Sequence, residues 1–224
     1  MSRRALAEKR PLLLLSVAAA LAYYYLRFTG FPELFLMLVK GAAVGSLALY
    51  AFLRHGGADA KLLGWALAAA ALGDMAMEFD QGIGGLLFLL FHVFAIALFM
   101  RHRRPALSPS QSWVVGVTFC LIPVIAWLLP ADRAGAWQVG LYGVALGAMA
   151  ASAWASSFPR YRVGAGAMLF VASDLLIFAQ MGPLEGHFLP RYMVWPLYYL
   201  GVMLITTGVM DTLRKKDPEL RVVN

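Results

Sequence analysis

Long apolar runs, each about the length of a membrane crossing, dominate the chain and are separated by short polar or helix-breaking stretches. A transmembrane helix needs about 20 largely apolar residues to cross roughly 30 Å of hydrocarbon. Eight such runs can be drawn, over 11–28, 33–53, 62–79, 82–101, 112–129, 136–155, 164–181 and 192–213. Between them stand Thr29-Gly30-Phe31-Pro32, Gly56-Gly57, Gln81-Gly82, Pro105 to Pro109, Pro130-Ala131-Asp132, Pro159 and Gly182-Pro183, all of which disfavour helix continuation. The pattern predicts an all-α polytopic membrane protein: a bundle of eight transmembrane helices forming a single domain over 1–224, with short basic tails at 1–10 and 214–224.

Composition narrows the class. Of 224 residues, 61% are hydrophobic and 14% charged, against about 25% charged in an ordinary soluble domain. This excludes a disordered chain and argues against a soluble enzyme. The net charge of +7 does not indicate nucleic acid, because the chain lacks the polar surface on which a basic patch would sit. A single cysteine, Cys120, excludes an intramolecular disulfide framework and a Cys-based zinc site.

Topology accounts for the positive charge. Of the 19 Lys and Arg, all but Arg27, Lys40, Arg133 and Arg191 fall on the side of the N-terminus. By the positive-inside rule this predicts an even number of crossings with both termini in the cytoplasm; for a bacterial source the membrane is the inner, or cell, membrane. Arg3-Arg4, the first apolar run and Ala20-Leu21-Ala22 resemble a signal peptide, whose cleavage would leave seven helices. Tyr23-Tyr24-Tyr25 with Arg27 read instead as an interfacial anchor for a retained first helix.

Ionisable groups inside a membrane are costly, at about 2.5–3.5 kcal/mol each on insertion scales, and are site candidates for that reason. Lys40, Asp74, His92 and Asp174 fall near mid-membrane or somewhat toward the outer side and are expected in one layer. Glu78, four residues after Asp74, shares its face one turn nearer the outer end, and reads as lining an entrance or as a solvated interfacial acid. Tyr142, Tyr198 and Tyr199 reach a similar level or form an aromatic belt, and Ser173 is a hydroxyl donor beside Asp174. A Lys–Asp pair alone could merely pin helices together, but two acids, a lysine and a histidine exceed what pinning needs. His92 alone suits packing as well as chemistry.

Other motifs carry less. Gly41 with Gly45 and Gly143 with Gly147 mark small-residue faces where helices approach closely. Gly82-Ile83-Gly84-Gly85 lacks the strand–glycine–helix context of a dinucleotide site. His55, His102 and His187 fall in loops, leaving one histidine at depth, so neither metal nor cofactor is expected. Leu72-Gly73-Asp74-Met75-Ala76 and Ala172-Ser173-Asp174-Leu175-Leu176 echo each other four helices apart, which suggests a parallel repeat.

Gly73-Asp74, then Phe88-Leu89-Leu90-Phe91-His92, then Tyr142 with Met149, then Gly166 through Leu176 and Tyr198-Tyr199-Leu200, together with Lys40, resemble the YhhN-type lysoplasmalogenase family along essentially the whole chain. Gly41, Ala95 and Gly201-Val202 depart from its usual proline, tyrosine and Ala-Gln. The resemblance implies an integral membrane hydrolase that cleaves the vinyl ether of lysoplasmalogens to a fatty aldehyde and a glycerophospho-base. Its partners would be a lysophospholipid substrate and membrane lipid.

The inventory of residues suits that reaction. A vinyl ether is hydrolysed by protonation of carbon and capture of the resulting oxocarbenium ion by water, which calls for a protonated acid and a nearby anion. Asp74 and Asp174 can supply these, with Lys40 keeping one carboxylate charged or binding phosphate and His92 orienting water, a logic shared with glycosidase carboxyl pairs. A small proton-coupled transporter or channel would use the same Asp, His and Lys layer. A membrane scaffold without chemistry would not need it.

Overall fold

A computed structural model describes residues 10–216, which form eight α-helices. They are α1 (Arg10–Leu26), α2 (Glu33–Arg54), α3 (Ala58–Ala76), α4 (Gln81–Arg101), α5 (Pro109–Leu128), α6 (Ala136–Ala155), α7 (Ala165–Gln180) and α8 (Phe188–Lys216). A five-residue π-turn, Arg160–Gly164, leads into α7. The remainder of the two basic tails lies outside the described residues. Arg10 and residues 214–216, placed in those tails on sequence grounds, instead belong to α1 and α8.

Among the described residues five segments are long and apolar enough to cross a membrane: Glu33–Arg54, Gln81–Arg101, Pro109–Leu128, Arg160–Gln180 and Phe188–Lys215. They fit an integral multi-pass membrane protein. Pro11–Leu26 is apolar but shorter, while α3 and α6 are built largely from alanine and glycine. Large apolar side chains point outward along the helices, as at Leu14 (69% exposed), Leu86 (66%) and Trp113 (74%). Such faces are unfavourable in water and suited to lipid. Many buried positions are small, with Ala43, Ala51, Ala60, Ala66 and Ala70 fully enclosed, beside larger ones such as Phe91, Phe99 and Phe170.

The chain falls into two compact units. The first comprises residues up to Ala95 and those from Thr206 onward, and within it α2 packs on both α1 and α3. Ser16 ties α1 to α2 by donating from Oγ to the Ala43 carbonyl at 2.6 Å. At Gly73 and Gly84 the backbones of α3 and α4 come together: a Cβ on Gly73 would stand 3.1 Å from the Phe88 ring, and one on Gly84 would strike Met77 at 2.6 Å.

The second unit is Ile96–Ile205. Here α6 packs on α5 and α7, with Gly143 and Gly147 set against Ala126, Pro123 and the carbonyls of Thr118 and Phe119. Pro123 and Pro196 are accommodated inside α5 and α8. Outside the helices, Arg103 bridges to Ser156, and Arg104 clasps the same loop through Nε to Ser156 O (2.7 Å) and Nη2 to Phe158 O (3.3 Å). Basic residues from the ends of α4 and the start of the π-turn thus share one end of this unit.

Gly166 on α7 and Gly201 on α8 mark a crossing where the two backbones meet. A Cβ on Gly201 would lie 2.6 Å from the Gly166 carbonyl oxygen and 3.0 Å from Phe170 N. Backbone atoms cannot turn aside, so Gly201→Ala is expected to cost about 1–3 kcal/mol of stability, as overpacking does. Thermal unfolding in detergent checks this against Gly116→Ala, where an added Cβ meets open space and the melting temperature should hold or rise.

Candidate functional site

In the first unit the polar residues cluster where α2 and α3 approach. Gly41 permits the approach: a Cβ there would stand 2.6 Å from Met75 Sδ. The residue just before it, Lys40, reaches across to Glu78 with Nζ 2.8 Å from Oε1. The lysine side chain is 13% exposed and the glutamate 39%. Asp74, 2% exposed, acts electrostatically on Lys40 and on Tyr23 of α1. Tyr23 is itself buried, with Lys40 Nζ 5.6 Å from its ring centroid.

Two expectations change here. The hydrogen-bonded partner of Lys40 is Glu78, and Asp74 acts on the same ammonium electrostatically. Glu78 is also not within a helix reaching residue 79, because α3 ends at Ala76 and the chain turns, with Glu78 N–H bonded to Met75 O at 3.3 Å. The turn swings the carboxylate back toward α2, so Glu78 neutralises the lysine rather than remaining a lone interfacial acid.

His92 is fully buried on α4, its ring 5.3 Å from that of Phe91. It lies one turn beyond Phe88, the residue that packs on Gly73 beside Asp74. Among the described residues no three of His, Cys, Asp and Glu come together as a metal site would require.

In the second unit α6 and α7 bring Tyr142 to Asp174. The phenol donates to Asp174 Oδ2 at 2.9 Å, and the Tyr142 ring stands edge-on to Phe178 with centroids 5.7 Å apart. Asp174 is 6% exposed. Ser173 Oγ donates to the Val194 carbonyl at 3.0 Å, tying α7 to α8. Tyr198 is buried edge-on against Phe170 (5.3 Å), and Tyr199 stacks on Trp195 (6.0 Å).

The two units share a local pattern that the aspartate echo only hinted at. Lys40-Gly41 is followed four residues on by Gly45, and Tyr142-Gly143 by Gly147. In each case the side chain before the first glycine reaches an acid borne on or just after the next helix. The glycines differ in use, since Gly41 faces α3 whereas Gly143 faces α5.

The Lys40–Glu78 contact has a measurable consequence. Lys40→Met strands Glu78 and leaves Asp74 without its cation, whereas Lys40→Met with Glu78→Gln removes both charges of the pair. A double-mutant cycle on thermal stability should give a coupling of about 1 kcal/mol, held down by the exposure of Glu78. Activity of the single lysine variant should fall about tenfold, the fold-equivalent of roughly 1.4 kcal/mol.

Helices suited to lipid, with charged and hydrogen-bonded polar groups enclosed among them, define a membrane protein with candidate chemistry inside the helical layer. The chain matches the model of the YhhN family over residues 35–209. It belongs to that family, the family of lysoplasmalogenases. No curated protein and no solved structure matches the chain.

Proposed function

We propose that this protein is a lysoplasmalogenase, an integral membrane hydrolase that cleaves the vinyl ether of alkenyl-glycerophosphoethanolamine or alkenyl-glycerophosphocholine. In this reading all eight helices cross the membrane with both termini in the cytoplasm, as the basic residues suggest; for a bacterial source the membrane is the inner one. Family membership supports the reaction class. The observation that carries the mechanism is Asp74, almost sealed from water and acting electrostatically on Lys40, which also pairs with Glu78.

The reaction begins with transfer of a proton to the β-carbon of the vinyl ether, forming an oxocarbenium ion. Water adds to the α-carbon, giving up a proton to a carboxylate. The hemiacetal then collapses: its hydroxyl gives its proton to the carboxylate of the former acid, the bond to the glycerol oxygen breaks, that oxygen takes the proton that water had left on the other carboxylate, and a fatty aldehyde leaves. We assign the acid to Asp74 and the anion to Asp174. A hydroxyl donating to a carboxylate oxygen, as Tyr142 does, suits the partner that stays charged. Asp74 is the more sealed of the two acids, 2% against 6% exposed, and burial suits a carboxyl that must carry a proton. His92 orients water, and Tyr198, Tyr199 and Ser173 position substrate or the helices that carry it. No metal or cofactor enters the scheme.

Purified protein supplied with a lysoplasmalogen should release one aldehyde per glycerophospho-base, and leave the saturated 1-O-alkyl analogue untouched. No aldehyde, together with substrate-dependent proton flux in liposomes, would replace the hydrolase with a proton-coupled transporter.

A further inference from the structure

Arg27 is an unusual cation for a surface anchor. It follows α1 directly, its N–H bonded to Tyr23 O at 3.1 Å. Its guanidinium carbon lies 4.6 Å from the centroid of Phe28, 5.3 Å from Tyr24 and 5.9 Å from Tyr23. Aromatic faces attract the cation but offer its N–H groups no acceptors. Nε and Nη2 are shut off from water and have no hydrogen-bond partner among the described residues. No ion pair to Arg27 is found among those residues either.

Its position connects it to the candidate chemistry. Tyr23 neighbours two cations, with Arg27 and Lys40 each within 6 Å of its ring. Asp74 and Glu78 also act electrostatically on Tyr23. Of the two cations, Lys40 already has an anion at 2.8 Å and Arg27 has none. Its Nε and Nη2, unfilled but covered by neighbouring side chains, form a planar fork that matches phosphate oxygens once those side chains turn aside to admit them.

We propose that Arg27 binds the phosphate of a lysophospholipid, with the glycerol running along α1 past Tyr23 so that the sn-1 ether faces Asp74. The inference rests on the hydrolase reading above and adds the residue that recognises the headgroup. The separation is suitable: Arg27 and Tyr23 are one turn apart, roughly 5.4 Å, about the span of the glycerol between phosphate and ether oxygen. The aromatic rings exclude water around the fork, which strengthens its attraction for an anion. Arg27 precedes the stretch 35–209 matched by the family model, so the match assigns it nothing. Phosphate in place of Lys40–Glu78 would require breaking an ion pair; at Arg27 it fills empty donors.

Binding of an inert ligand tests this apart from catalysis. In a phosphate-free maltoside detergent, the purified protein is titrated with saturated 1-O-alkyl-lysophosphatidylcholine and with 1-O-alkylglycerol, which lacks the phosphate. Arg27→Gln should weaken the first at least tenfold and leave the second unchanged, while Arg27→Lys, with charge but no fork, should fall between. On lysoplasmalogen, Arg27→Gln should raise KM with kcat nearly constant. Equal affinity of the native protein and Arg27→Gln for the phosphate-bearing ether overturns the proposal, as does equal weakening of both ligands, which would mark Arg27 as structural. Displacement of the lysolipid by inorganic phosphate alone would make this a free-phosphate site and also overturn it. If Arg27→Gln does not fold, the Arg27→Lys comparison decides by the same criteria. Arg27-dependent binding without aldehyde release would retain this site while removing the hydrolase reading.

Discussion

Asp74→Asn is expected to lower turnover of a lysoplasmalogen by about 10²- to 10⁴-fold, the usual worth of a general acid. The substitution keeps the shape of the side chain and removes the proton that a vinyl ether must receive at carbon. The fold should survive it. Lys40 retains Glu78 at 2.8 Å, and the close approach of α2 to α3 depends on Gly41 and Met75 rather than on the Asp74 carboxyl. Asp74 is 2% exposed, so bulk water cannot replace the lost acid. The check is aldehyde release per mole of extractable, monodisperse protein. Wild-type turnover in Asp74→Asn would assign the acid elsewhere. Unchanged KM with reduced kcat would place the loss in the chemical step.

The helical organisation was legible because apolar runs of membrane length leave few alternatives. All eight runs are helices, with ends shifted by a few residues. The largest shifts are at α8, which runs longer at both ends, and at α3, which starts at Ala58 and stops at Ala76: Gly57 precedes the first turn of α3, and the chain leaves that helix before Glu78. Counting residues along straight helices could put Lys40, Asp74 and Glu78 at similar depth, yet could not decide which acid the lysine would meet. That outcome depends on a turn beyond α3 and on the clearance at Gly41, both tertiary. Tyr142 and Asp174 were each legible as polar positions, but not as a hydrogen-bonded pair.

Arg27 and Tyr23 show a different limit. As a Tyr-Tyr-Tyr-Leu-Arg segment at a helix end they read as an interfacial anchor, and that reading accounts for composition alone. Their i, i+4 spacing was the available signal that one face of α1 carries both a phenol and a cation inward. What the spacing could not convey is that Lys40 of α2 comes within 5.6 Å of the centroid of the same ring.

Asp174→Asn should reduce turnover on a similar scale, about 10²-fold or more, for a different reason. Its proposed task is to remain anionic, stabilise the oxocarbenium ion and take a proton from water. Asparagine offers an uncharged carbonyl in place of that anion. The Tyr142 hydroxyl can still donate to this carbonyl, so the α6–α7 contact is kept and the loss should fall on catalysis rather than folding. Tyr142→Phe separates the charge from its support. It removes a single hydrogen bond to a charged group, worth about 1.5–3 kcal/mol, and turnover should fall by roughly 10- to 100-fold. If the phenol acts through Asp174, adding Tyr142→Phe to Asp174→Asn should cost little more, since the carboxylate it supports is already gone. Full additivity of the two losses would show instead that Tyr142 contacts the substrate directly, and the assignment of Asp174 as the supported anion would lose its basis.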